Sequence, residues 1–157
     1  MIPPVKYEIR DRGPTPRGMR KVMRAATSEA WAESGKHFHE HMRFARFTHA
    51  HATKAGYAKR SPKYEREKFR RFGHTFPLEY SGETRQRTIT EFRIVANSNG
   101  VNVRYPGARK FNYRRSAKSP NMVAEFTRVL PEEANELAQV FDKKLDQELN
   151  AYSGDNT

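Results

Sequence analysis

The chain has no cysteine among its 157 residues. That excludes a disulfide framework, a thiolate zinc centre and a cysteine nucleophile. No stretch approaches eighteen consecutive apolar residues, so no segment is predicted to span a bilayer. The opening MIPPVKYEIRDRG lacks the apolar core of a secretory leader, and a reducing cytoplasm is the expected site of synthesis. There is one tryptophan, and hydrophobic residues make up only 36% of the chain. That suffices for a single modest core and not for two. Catalytic signatures are missing too: there is no P-loop, no G-x-G-x-x-G and no G-x-S-x-G around Ser81-Gly82.

Charge is abundant instead, at 31% of residues and +12 net. Its distribution is uneven. Residues 1–75 hold 18 Lys/Arg against 7 Asp/Glu, residues 76–128 hold 10 against 4, and residues 129–157 hold 2 against 7. A basic body with an acidic end can meet nucleic acid through phosphates. It can also meet another copy of itself or an acidic neighbour.

Patterning predicts an α+β domain in which a small antiparallel sheet is packed by two amphipathic helices, with a long basic extended arm between the first helix and the sheet. Pro3-Pro4 and Gly13-Pro14 make residues 1–14 extended. Thr15-Pro16 reads as a helix start. Met19, Val22, Met23, Ala26, Ala30 and Trp31 then recur at helical spacing as far as Gly35, a weak point, and on through Phe38, Met42 and Ala45. The pattern is lost over 48–76, the predicted arm, with a helical piece at Pro62–Arg71. Thr88–Ala96 reads as a strand, Asn97-Ser98-Asn99-Gly100 as a hairpin turn with Gly or Asn at positive φ, and Val101–Tyr105 as the return. Arg109–Ser119 forms a second basic loop, and Met122–Val129 reads as a further short strand. Leu130-Pro131-Glu132-Glu133 opens a helix whose stripe is Ala134, Leu137, Ala138, Phe141, Leu145 and Leu149. A flexible tail follows over 151–157, so 15–150 is one domain.

Six histidines raise the question of a metal. His37 and His41 share a helical face, His39 alternates with them, His49 and His51 follow, and His74 stands alone. The H-E-x-x-H order is absent and no acidic ligand is marked, so no metal site, cofactor or enzyme activity is expected. Glu65, Glu67, Glu79 and Glu83 read as surface ion-pair partners rather than as paired acid–base carboxylates.

The basic and aromatic stretch 57–72 is the main candidate for function. Arg60, Lys63, Arg66, Lys68, Arg70 and Arg71 interleave with Tyr57, Tyr64, Phe69 and Phe72. Cations can neutralise phosphates, and aromatics can stack on bases or anchor in a partner's pocket. The predicted contact set is Tyr57, Arg60, Tyr64, Arg66, Lys68, Phe69, Arg70, Arg71, Phe72 and His74, joined by Arg109, Arg114 and Arg115 of the second loop.

The order of these pieces resembles the head–tail joining proteins of tailed bacteriophages, of the neck or tail-completion type. The matching residues run Phe47-Thr48, Tyr57, Arg60-Ser61, Tyr64, Lys68, Arg70-Arg71 and Gly73-His74-Thr75-Phe76-Pro77-Leu78. Tyr80-Ser81-Gly82-Glu83-Thr84-Arg85 follows, then Glu125-Phe126-Thr127-Arg128, Pro131-Glu132-Glu133 and Phe141-Asp142. The set spans about residues 15–150. It departs from the family pattern in the histidine-rich His37–His41 and in Arg85-Gln86-Arg87-Thr88.

The resemblance implies a non-enzymatic virion protein, made in the host cytoplasm and located in the neck. It implies a homo-oligomeric ring of six or twelve copies between portal or adaptor and tail, through which DNA passes without sequence-specific binding, and no membrane. A tail terminator or minor tail protein, or a basic nucleic-acid-binding module, are the alternatives.

Overall fold

The computed structural model describes residues 16–154. The extended reading of 1–14, the Thr15 cap and the last three residues lie outside them. The chain is a mostly helical α+β fold around a two-stranded antiparallel sheet.

Helix α1 spans Pro16–His37. Its buried stripe is Ala26, Ala30 and Ser34, small residues four apart, while Met19 and Met23 stay exposed. Small side chains let a second long helix come close. That helix, α6 (Pro131–Gly154), runs antiparallel to α1. Trp31 meets Phe141 at 4.5 Å between ring centroids, Ser34 Oγ donates to Leu137 O at 3.3 Å, and His37 pairs with Glu136 at 2.7 Å. Helix α6 continues through Gly154, beyond the predicted start of the tail.

An adjoining face of α1 carries the hairpin of β1 (Arg93–Asn97) and β2 (Gly100–Arg104). Gly35 is the point of closest approach. A Cβ there would lie 2.7 Å from Val101 Cγ2 and 3.2 Å from side-chain atoms of Ile94 and Val103. The residue that weakens the helical pattern is the one that lets the sheet seat on it. Register runs from Arg93 opposite Arg104 to Asn97 opposite Gly100. No turn residue takes positive φ, contrary to the sequence reading. The Asn97 side chain instead accepts from Asn99 N at 2.8 Å and holds the turn.

After α1 the helix loosens into a π turn at Phe38–Met42, where Arg43 N–H reaches back to Phe38 O, and tightens into a 3₁₀ turn at Arg43–Phe47. This change of pitch turns His39, Met42, Arg46 and Phe47 inward. A second core gathers around Phe47, Leu78, Ala108, Phe111 and Phe126, with Tyr57, Tyr105 and Met122 at its edge. Leu78 takes φ of 56°, a strained left-handed conformation for a leucine, held by its burial there.

Three sequence expectations are corrected. The segment 48–76 is not an extended arm: it holds α2 (His49–Lys54) and α3 (Pro62–Phe72), the second close to the helical piece at Pro62–Arg71. Thr48 and Ser61 cap them, their side chains accepting from His51 N and Tyr64 N. The strand begins at Arg93, not Thr88, because α4 (Glu83–Thr90) occupies the run before it. Arg87 holds α4 by pairing with Glu83 at 3.7 Å and Glu91 at 2.7 Å, each one helical turn away. Finally, Met122–Val129 contains no strand but α5 (Met122–Thr127), capped by Asn121. The Arg109–Ser119 loop opens inside a 3₁₀ turn, Pro106–Asn112.

Candidate partner-binding surface

Helix α3 projects the predicted contact residues, and local chemistry fixes its position. Pro62 follows the Ser61 cap, and Gly73 closes the helix with φ of 72°. The chain then turns back through Leu78 into the core. Glu79 receives Arg85 Nη1 at 3.1 Å and lies 3.9 Å from His74. The Gly73–Arg85 motif is therefore a locally closed turn that ties α3 to the body.

The structure divides the predicted contact residues into two groups. Several serve the fold. Arg60 makes a two-pronged bridge to the buried Glu125 at 2.6 and 3.0 Å, and the same carboxylate accepts from Ala58 N at 2.9 Å. Tyr57 is half-buried with its hydroxyl donating to Arg46 O at 3.3 Å, and burial pushes its phenol well above its usual range. Lys68 is buried, its ammonium donating to Phe76 O. Burial pulls Lys68 below the usual lysine value, against the opposing pull of Glu79. Arg71 pairs with Glu67 at 3.2 Å and donates to Tyr80 Oη at 3.3 Å. Arg114 closes its own loop through Ala117 O and Ser119 O, both at 2.8 Å.

The others face outward. Phe69 is 60% exposed, and Phe72 is also exposed. Tyr64 and Phe72 flank Tyr80 at 6.1 and 4.8 Å between ring centroids, and His74 stacks on Phe76 at 5.2 Å. Burial raises the Tyr64 phenol. The Nδ1 of His74 is buried without a hydrogen-bond partner among the described residues. Arg66 and Arg70, with Lys63, have no ion-pair or hydrogen-bond partner among the described residues, and exposed Arg115 has none either, while exposed Arg109 lends its charge to Glu83 and Glu91. Behind α3 a cleft of about 530 Å³ runs between α2 and the 3₁₀ turn, lined by Tyr57, Tyr64, Lys68, Tyr80, Lys110 and Met122. The arrangement offers planar rings and hydrogen-bond donors.

Two features escaped the sequence reading. One is the buried bridge from Arg46 to Glu133, at 2.5 and 2.8 Å, with Arg46 also donating to Met42 O and Arg128 O. It locks the start of α6 to the turn after α1, and Glu133 accepts from Leu130 N at 2.9 Å. No local pattern could signal a pair 87 residues apart. The other is an apolar groove of about 540 Å³ between β2 and α6, floored by α1 and lined by Trp31, Val101, Val103, Leu137, Ala138 and Phe141. Alternating valines and the α6 stripe were its only signal.

His37 and His41 lie 4.5 Å apart between ring centroids, and the other histidines are dispersed. His39 stacks on Phe92 at 3.6 Å, His51 lies 3.7 Å from Glu133, and His49 bonds Thr75. Among the described residues no three His, Asp or Glu side chains stand together in a metal-holding group. No helix of the described residues is long and apolar enough to cross a membrane.

Comparison with protein families, with curated proteins and with solved structures found no match.

Proposed function

We propose that this chain is a non-enzymatic structural subunit of a tailed-phage virion, forming a ring in the neck that joins head to tail. The reading rests on the ordered likeness to neck proteins and on one structural observation. Helix α3 holds an exposed phenylalanine and unpaired cations in a fixed position, through a cap and turn built from the same residues that carry the likeness. Exposed aromatic and arginine side chains on a rigid element suit anchoring in a protein partner. Most of the basic surface then faces protein. A strongly basic lumen would hold DNA by its phosphates and hinder its passage.

The unpaired Lys63, Arg66 and Arg70 also favour a second reading, a nucleic-acid contact. Such a contact predicts tight binding to plain duplex DNA that weakens steeply with salt. Peptide mass analysis of purified virions separates the two. The neck reading expects the chain in intact particles, in a fixed ratio to the portal protein. A chain found only in infected-cell lysate, bound to DNA, would refute it.

A further inference from the structure

Helices α3 and α6 each turn a charged stripe outward, of opposite sign. On α3, Lys63, Arg66 and Arg70 fall within a quarter of the helix circumference and none is paired among the described residues. On α6, most acids are already engaged: Glu132 with Lys54 at 3.6 Å, Glu133 with Arg46, Glu136 with His37, and Glu148 with Lys144 at 2.6 Å. Asp142 and Asp146 are exposed, have no partner among the described residues and stand four residues apart. Arg66 and Arg70 are also four apart. Such neighbours are separated by about 5–6 Å on a helix, so two Arg–Asp pairs can form side by side.

Each stripe is bordered by apolar surface. Beside Arg66 and Arg70 stands Phe69, 60% exposed. One turn before Asp142 is Ala138, a small exposed residue on the rim of the apolar groove between β2 and α6. Within one chain the two stripes do not meet. Helix α6 packs along α1, and no broad packing joins it to α3.

We infer that α3 of one copy docks against α6 of the next, with Phe69 entering the groove beside Ala138 and with Arg66 and Arg70 facing Asp142 and Asp146. The surfaces are different patches of the same chain, so the contact is head-to-tail and propagates until a ring closes. Exposed ion pairs contribute little affinity, so the charges set register and choice of partner while Phe69 supplies burial. This contact rests on the ring reading above and specifies its interface.

Two full-length variants test it: Arg66→Glu with Arg70→Glu, and Asp142→Arg with Asp146→Arg. Circular dichroism confirms their folding, and native mass spectrometry reads their assembly. The wild type is expected to self-associate. Each variant alone juxtaposes like charges and should self-associate at least about a hundredfold more weakly. An equimolar mixture restores both opposite-sign contacts by alternation, and should assemble with equal numbers of the two chains. Adding Phe69→Ala to both should weaken the mixed assembly.

Folded variants that each assemble like the wild type would overturn the contact and leave the ring reading standing. A mixture that fails to assemble would do the same. A wild type that is monomeric at every concentration would overturn both. If the α3 reversal abolishes binding to a duplex oligonucleotide while leaving assembly intact, the stripe is a nucleic-acid contact and the inference fails.

Discussion

His51 shows how burial decides what a side chain of this protein does. It sits in the cluster that locks α6 in place, with Arg46, Glu133, Glu132 and Lys54 around it. Burial, and then Arg46, hold its imidazole below the ordinary 6.5, against the pull of Glu133. His39 is lowered in the same way, by burial and then by Arg43. Glu133 behaves differently. Burial pushes its carboxyl up most strongly, but the Arg46 hydrogen bonds, the Leu130 N–H and the Arg46 charge together outweigh it and hold the group below 4.5.

The signs then follow. The unfolded chain takes up protons at His39 and His51 near 6.5, before the folded chain does, so the stability these two contribute falls as pH drops through that value. The Glu133 contribution is retained there and is lost only below 4.5. Thermal melts of the wild type should show the midpoint falling from about pH 7.5 to about pH 5.5. A His39→Gln/His51→Gln variant should melt with little slope across that range, whatever its starting midpoint. A wild-type midpoint that rises as the solution is acidified would contradict the assignment. Neither burial was legible in the sequence, where the histidines raised a metal question and otherwise read as surface residues or contacts to neighbours. What buries His39 and His51 is the change of helical pitch after His37 and contacts to residues some 50 to 80 positions away.

At the scale of elements, sequence periodicity served where an element is long or locally capped. The beginning of α6 at Pro131, the hairpin and the helical piece in α3 follow directly from residue order. Helices α4 and α5 did not. Each is short, and the alternation of Phe92, Ile94 and Ala96 read as a strand propensity reaching back to Thr88. The Glu83–Arg87–Glu91 ladder and the Asn121 cap outweigh that propensity. The arm was read as extended because its apolar residues show no stripe. Its two helices are short and are started by polar caps at Thr48 and Ser61.

Gly73 gives the sharpest test at this scale. It ends α3 at φ of 72°, and an added Cβ would meet nothing within 4 Å. Replacement by alanine should therefore cost only the left-handed conformation, about 1–2 kcal/mol, and replacement by asparagine less. Urea unfolding of both variants measures this. Equal losses would show that Gly73 is needed for some reason other than its backbone angle.

The molecule as a whole divides its polar chemistry by location. Cations that the fold needs are bonded into it: buried Arg46 to Glu133, half-buried Arg60 to Glu125 and buried Lys68 to Phe76 O. Cations that it does not need, Lys63, Arg66 and Arg70, stand together on one side of α3. The sequence showed the basic–aromatic stretch but could not separate these groups, because the separation depends on partners such as Glu125 and Phe76. It also left the groove beside α6 out of view. Together they give one chain two unlike and complementary surfaces, which is what a subunit needs to build a closed ring from identical copies.

The central claim, that this chain is a ring subunit, is tested most directly by the mass of its assembly. Native mass spectrometry of the purified full chain should give one closed species at six or twelve times the 18.3 kDa chain mass. A single 18.3 kDa species at every concentration would contradict the account.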